Sequence, residues 1–296
     1  NDFDKLRIEK ILKREPELFD QFLKFIPTIV PPKKIDLIAV TCGPGLEPAL
    51  WTGLNFARAL AYVWKKPLIP INHMEGHIYS VLISRSVLEF PALSLLISGG
   101  HTEIVLIRDW LKARLLGSTR DDAVGEAFDK VARLLDLPYP GGANLSRLAT
   151  TATKPSVVRL PRPMIISPDF DFSFSGLKTA VLYRGSDLKK QNLFNADARA
   201  TLAADFEQAV IDILLAKTSR AIKEYKPKTL IVAGGVSANQ PLRQQFAKYF
   251  KRENLKVKLL FPSLKLTGDN ATMIAVAGYL RSIKKQIPKT NKFKIP

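Results

Sequence analysis

The sequence holds one cysteine, Cys42, in 296 residues. A disulfide framework is therefore excluded, and a lone thiol suits a reducing cytosol, so a cytoplasmic location is expected. Long apolar runs are also missing. None reaches the roughly 18 residues that a bilayer-spanning helix needs, so no membrane partner is expected. The opening NDFDKLRIEK is charged and lacks the apolar stretch of a signal peptide. It starts on Asn and not Met, as a fragment or a processed chain does. Neither the P-loop ending in GK[ST] nor a G-x-G-x-x-G fingerprint at a strand–helix turn is present. Any nucleotide must be held by another geometry. Acidic residues are outnumbered, 27 Asp and Glu against 45 Lys and Arg, for a net charge of +18. A merely soluble basic protein can carry that surplus, but it favours a polyanionic partner such as nucleic acid.

With 46% hydrophobic and 24% charged residues, the chain is globular and long enough for two domains. Residues 4–26 carry apolar side chains at helical spacing, and Pro16 divides them into two helices. Pro27 and then Pro31-Pro32-Lys33-Lys34 end that segment. A short strand at 35–40, the Cys42-Gly43-Pro44-Gly45 turn, a helix at 50–64 and a strand at 67–71 make a βαβ unit. Strands at 93–97 and 103–107 flank Ser98-Gly99-Gly100-His101-Thr102, which reads as a hairpin turn. A helix at 121–135 stops at Pro138-Tyr139-Pro140-Gly141-Gly142. Residues 150–169 are polar and proline-rich, a linker or interaction loop. A polar stretch then leads to a long amphipathic helix at 198–225, with the Lys217 stem covering the edge of its buried stripe. A strand at 229–232 ends in Ala233-Gly234-Gly235, followed by a helix at 241–250, a strand at 257–261 and a last helix at 271–282. Residues 284–296 form a basic, frayed tail. Two strands thus end in paired glycines, after Ile97 and after Val232, as two α/β units would if each turned its glycines toward a shared cleft.

Only three histidines occur, and two of them fall in His73-Met74-Glu75-Gly76-His77. On a helix, ~100° per residue brings positions i and i+4 to one face, which makes half of a metal site. The alternative is that one His caps a helix while the other packs. Asp269, at a glycine-containing helix start, is the candidate third ligand; its competing role is a simple N-cap. Two nitrogens and one oxygen suit Zn²⁺ or Fe²⁺ and leave positions open. A metallopeptidase is argued against by Glu75. In H-E-x-x-H the Glu lies about 80° from the midpoint of the two His, whereas Glu75 lies about 180° away. A serine hydrolase fares no better, because Ser98 and His101 share a strand turn and not a nucleophile elbow. Glycine turns at strand ends expose N–H donors to phosphate. Asp129 and Asn239 could bond a ribose or an adenine, or serve as helix-surface and cap residues.

The ordered motifs HMEGH, SGGHTE, GEAFDK, YPGG, DFSFSGLK, AGGVSAN and TGDNATMIA resemble those of the TsaD family, also called Gcp or YgjD proteins, whose archaeal and eukaryotic relatives belong to the KEOPS complex. The resemblance runs over about residues 35–280. It implies an α/β fold of the actin-like/Hsp70-like ATPase type, with two RNase-H-like halves around a central cleft. Residues 1–91 would be the remainder of the first half. Residues 92–296 would form the second, with a helical insertion at about 121–200 and the C-terminal helix. It implies transfer of a threonylcarbamoyl group from threonylcarbamoyl-adenylate to N6 of adenosine 37 in tRNAs that read codons beginning with A. The metal ligands would be His73, His77 and Asp269, holding Fe²⁺ or Zn²⁺. Leu96, Ile97, Ser98, Gly99, Gly100, Asp129, Gly142 and Asn239 would line the adenylate site. Partners would be tRNA and, in bacteria, TsaB-type and TsaE-type proteins. Two departures stand out. The family's opening β-hairpin with its E-T-S-C-D-E type motif has no counterpart here, so an incomplete first half-sheet with exposed edges is expected. Gly268 stands where many relatives have Thr. Two other classes compete. A non-catalytic scaffold of the same fold has no use for the His73, His77 and Asp269 set. A sugar or acetate kinase should keep the opening hairpin and has no reason to carry HMEGH.

Overall fold

A computed structural model describes residues 4–29, 34–84, 86–153 and 159–284. Pro31, Pro32, Lys33, part of the proline-rich stretch and the tail after Lys284 lie outside the described residues. In chain order the elements are α1 (Lys5–Ile11), α2 (Pro16–Phe25), β1 (Ile38–Gly43), α3 (Glu47–Trp64), β2 (Leu68–Asn72) and α4 (His73–Tyr79). Then follow β3 (Ala92–Ile97), β4 (Thr102–Asp109), β5 (Lys112–Ser118), α5 (Val124–Leu134), α6 (Gly141–Ala149) and α7 (Ser175–Lys190). The chain closes with α8 (Ala196–Tyr225), β6 (Thr229–Ala233), α9 (Gln240–Arg252), β7 (Lys258–Leu260) and α10 (Ala271–Ile283). They fall into two compact units: the described residues within Asn1–Ile83 and Asn270–Pro296, and those of Ser84–Asp269.

The first unit is the expected βαβ unit with helices added. Strands β1 and β2 pair in parallel, Ile38 opposite Leu68, and form a two-stranded sheet. Strand β1 begins three residues later than its apolar run predicts, at the first residue that has a β2 partner. Helix α3 has two buried faces. Leu54, Ala57 and Ala61 pack with Leu68 of β2, while Ala59 meets Ile8, Leu12, Phe22 and Ile26 of the N-terminal helical segment. Pro16 does divide that segment, as the first residue of α2, where a missing N–H costs nothing. Helix α10 belongs to this unit and lies close against β1. A Cβ added at Gly278 would stand 2.6 Å from that of Ala39.

The second unit holds a five-stranded sheet of order β5-β4-β3-β6-β7. Strands β3, β4 and β5 are antiparallel neighbours; β3, β6 and β7 run parallel. Strand β3 is buried along its whole length, which explains its unbroken apolar run. Its core includes Leu93, Leu95, Phe128, Phe172, Phe206 and Phe246. Full burial of Phe206 alone is worth roughly 1.5–3 kcal/mol.

Four sequence expectations need correction. Strand β5 was not expected, because it is an edge strand whose first four residues are exposed and show no alternation. Helices α6 and α7 were read as a turn and a polar stretch. The start of α7 is held from a distance: the Asp121 carboxylate accepts from Phe174 N at 2.8 Å, Ser175 N at 3.2 Å, and the hydroxyls of Ser173 and Ser175 at 2.5 and 2.7 Å. Lys217 does not sit at the edge of its stripe. It is fully buried, with Nζ donating to Ser167 Oγ at 2.6 Å and to Asp169 O at 3.0 Å. Finally, the two glycine turns do not come from two units; β3 and β6 are neighbours in one sheet.

Candidate active site

The His73-Met74-Glu75-Gly76-His77 stretch is helical, as its spacing suggests. Asn72, the last residue of β2, caps it: Oδ1 accepts from Met74 N at 2.8 Å and from Glu75 N at 3.4 Å. Strand β2 therefore delivers the chain directly into α4. The imidazoles of His73 and His77 meet edge to face, ring centres 4.9 Å apart and planes at 86°. His73 is half-buried and His77 buried.

Asp269 is not the cap of the last helix. That role falls to Asn270, whose Oδ1 accepts from Met273 N at 2.9 Å. Asp269 sits one residue earlier, where the chain returns to the first unit. One ligand atom from each of His73, His77 and Asp269 can be chosen so that all three lie within 4.8 Å of one another. Two imidazole nitrogens and one carboxylate oxygen converging at that range fit a divalent transition metal. Glu75 takes no part. Arg281 holds its carboxylate, with Nη2 at 2.8 and 2.9 Å and Nε at 3.1 Å.

In the second unit, the residues expected around an adenylate form a closed circuit of contacts. Leu96 of β3 lies opposite Ala233 of β6, so the two glycine turns emerge side by side. Gly234 has φ of 95°, and a Cβ there would run into the Ile97 carbonyl, 2.8 Å from its carbon. Gly125, in the first turn of α5, donates its N–H to Ser98 O at 3.1 Å. One helical turn on, Asp129 Oδ1 accepts from Gly141 N, at the start of α6, at 2.8 Å. Gly142 follows, and one turn later Ser146 Oγ accepts from Asn239 Nδ2 at 3.3 Å. Asn239 leads back through a 3-10 turn, Gly235–Ala238, to β6.

Within this circuit each residue has a definite task. Leu96 and Ile97 are buried, so they present backbone only. Gly99 and Gly100 are exposed, and a Cβ on either would meet nothing within 4 Å. Asn239 caps α9, Oδ1 accepting from Leu242 N at 2.8 Å, and its Nδ2 also donates to Glu207 Oε1 at 2.6 Å. Burial pushes the Glu207 carboxyl above its ordinary value, against hydrogen bonds from Asn239 and Ser146 that lower it. Gly125 opens the GEAFDK motif but is not among the expected site residues; Ser146, Glu207 and Arg281 carry no signal in the sequence. The crevice beyond the carboxyl ends of parallel strands, with helix starts pointing toward it, is where open α/β sheets bind ligands.

Fold and donor set define an α/β protein of the actin-like/Hsp70-like type with a candidate His-His-Asp metal centre. The fold is shared with two solved structures. T. kodakarensis HypF superposes with a TM-score of 0.60 at 13% identity, over 93% of this chain and 44% of that one. Full-length HypF in its phosphate- and nucleotide-bound form gives 0.60 and 13%, over 92% and 50%. This chain thus spans about half the length of each. The family model described as TsaD, tRNA N6-adenosine threonylcarbamoyltransferase, matches residues 16–276, and the chain belongs to that family. Relatives bearing this name include those of Thermosipho africanus, 47% identical over 83% of this chain and 72% of the relative, and Syntrophomonas wolfei, 46% over 81% and 69%. The Burkholderia thailandensis relative is 48% identical over 83% and 71%.

Proposed function

We propose that the chain transfers the threonylcarbamoyl group of threonylcarbamoyl-adenylate to N6 of adenosine 37 in tRNAs reading codons that begin with A. The observation that carries this reading is the family match across residues 16–276, reinforced by the convergence of His73, His77 and Asp269. Those three residues would hold one divalent ion, Fe²⁺ or Zn²⁺. Such an ion, when bound, supplies Lewis acidity beside the carbamoyl and phosphate oxygens. The backbone at Gly99 and Gly100 would offer N–H groups to the phosphate, while Ser98, its N–H bonded to His101 O at 2.9 Å, would hold the turn that presents them. Asp129, Gly142 and Asn239 would frame the nucleoside, with Leu96 and Ile97 fixing the strand end beneath it. The adenosine amine attacks the carbamoyl carbon, the bond from that carbon to the phosphate oxygen breaks, and AMP departs. The proton lost by N6 passes to solvent.

The net charge of +18 suits a tRNA partner. No helix among the described residues is long and apolar enough to cross a membrane. A cytoplasmic location goes with a tRNA substrate and a lone thiol, and TsaB-type and TsaE-type proteins are the expected partners in bacteria. A peptidase reading is disfavoured because Glu75 is bound to Arg281. A pure scaffold is disfavoured because it needs no metal donors. The deciding experiment reconstitutes the chain with threonylcarbamoyl-adenylate, tRNA and the partner proteins, alongside His73→Ala. Loss of a ligand should slow transfer on the order of a hundredfold or more. A His73→Ala protein that transfers as fast as the parent would sink the metal-assisted reading.

A further inference from the structure

Helix α4 has a second working side. While His73 and His77 face the donor cluster, Glu75 and Gly76 face α10. Arg281 grips the Glu75 carboxylate through two nitrogens, and the two side chains are only 24% and 20% exposed. Such a forked, partly buried pair is directional as well as strong. At Gly76 the two helices approach closely. A Cβ there would stand 2.9 Å from Ile274 Cδ1 and 3.1 Å from Met273 Cγ. Helix α10 is therefore held on α4 at two points, Met273–Ile274 and, about two turns along, Arg281. Asp269 precedes the cap of that same helix. A slide or roll of α10 by one residue, about 1.5 Å of rise, would shift Asp269 relative to the two imidazoles.

We propose that the Glu75–Arg281 pair positions the metal donors, by fixing the register of α10 on α4 and with it the place of Asp269. This inference rests on the metal reading of the same site. Glu75 is a positioning residue here: its carboxylate is neutralised by Arg281 and turned to the helix interface. It explains why a carboxylate between two metal-binding histidines belongs to the motif without being a ligand.

The test measures Co²⁺ and Zn²⁺ affinity of the metal-stripped full chain by chelator competition, with the visible Co²⁺ spectrum as a report on ligand geometry. The proteins are the parent, His73→Ala, Glu75→Gln, Arg281→Lys and the double Glu75→Gln/Arg281→Gln, each checked for folding by circular dichroism. Glu75→Gln should bind about 10- to 100-fold more weakly, the range that follows loss of a group that orients metal ligands, with an altered Co²⁺ spectrum. Arg281→Lys should fall between, since a point charge cannot reproduce the fork. The double variant should be no worse than Glu75→Gln. A merely structural pair would lower Tm and leave affinity and spectrum alone. Folded Glu75→Gln and Arg281→Lys within twofold of the parent would overturn the proposal while leaving the metal site intact. A parent that binds no better than His73→Ala would overturn the metal reading itself, and this inference with it. If Glu75→Gln does not fold, Arg281→Lys decides alone by the same thresholds.

Discussion

Asp129 Oδ1 accepts the backbone N–H of Gly141 at 2.8 Å, tying α5 to the first residue of α6. Pro140, the residue at the cap position of α6, has no side-chain donor or acceptor to offer. Asp129 therefore acts as a cap supplied from another helix. Asp129→Ala should cost about 1–2 kcal/mol of stability, as lost caps do, and Asp129→Asn, which keeps an acceptor oxygen, markedly less. Urea unfolding of the two variants compares them; equal losses would show that the Gly141 bond is not the cause.

Gly234 and its counterparts on the neighbouring turn should respond in opposite ways. At Gly234 a side chain meets both a left-handed φ and the Ile97 carbonyl, so Gly234→Ala should cost roughly 3 kcal/mol or more. Gly99→Ala and Gly100→Ala have open space and should stay within about 0.5 kcal/mol of the parent. If these turns hold the adenylate phosphate, the same two substitutions should raise its KM on the order of tenfold, about one contact's worth. Thermal melts read the first effect and steady-state transfer the second. A folded Gly99→Ala/Gly100→Ala enzyme with unchanged KM would remove the turn from the binding site.

Asp121 sets a pH dependence. Burial raises its carboxyl, but the Ser173 hydroxyl, the Phe174 N–H, and the hydroxyl and N–H of Ser175 together hold it below its ordinary value. A carboxyl lowered in the folded state binds fewer protons there than when unfolded. Its contribution is thus complete above the ordinary carboxylate value of about 4 and is lost as pH falls through the lower folded value. Asp121→Asn should flatten the fall of Tm in acid over that window and lower Tm near neutrality. Unfolding scans between about pH 2 and 7 check this; an unchanged acid slope would rule Asp121 out.

Lys217 anchors the segment that runs into Asp169. With Nζ bonded to the Ser167 hydroxyl and the Asp169 carbonyl, its removal strands acceptors in the interior. Lys217→Met should cost about 1–3 kcal/mol. It should also speed proteolytic cleavage within residues 159–170. A variant as stable and as protease-resistant as the parent would show that Arg120, bonded to Asp169 and Asp171, and Arg220, bonded to the Ser167 carbonyl, hold the segment without it.

How far the fold could be read in advance depended on where each element finds its partners. The shared face of His73 and His77 on α4 was legible because an i, i+4 spacing is local, although Asn72 was not expected as its cap. The division at Pro16 was legible too. Helix α7 was not: its stripe is weak, Leu182 and Tyr183 are exposed, and Asp121, which holds its start, lies more than fifty residues upstream. Helix α6 hides behind a Pro-Gly-Gly opening that reads as a turn, because the cap comes from Asp129. Lys217 looks like a surface residue until Ser167 and Asp169 are placed beside it. The pairing of His73 with His77 was readable from residue type and spacing, but Asp269 was only a candidate beside a cap role, and nothing local says that Asn270 caps α10 and leaves Asp269 to another use. Arg281 carried no mark at all, since a lone arginine near a chain end resembles any solvated charge.

The two-sidedness of α4 bears on transplantation. Moving His73-Met74-Glu75-Gly76-His77 into a helix of some other scaffold would bring two imidazoles together with a carboxylate stripped of its guanidinium and a glycine stripped of its close neighbour. The first would compete for whatever cation arrives; the second would weaken the host helix by roughly 0.5–1 kcal/mol. A faithful graft therefore has to move a pair of helices, α4 with the Asp269-to-Arg281 segment, as one block. The same block is the unit that carries the geometry, since the histidine pair alone brings neither Asp269 nor the Glu75–Arg281 contact.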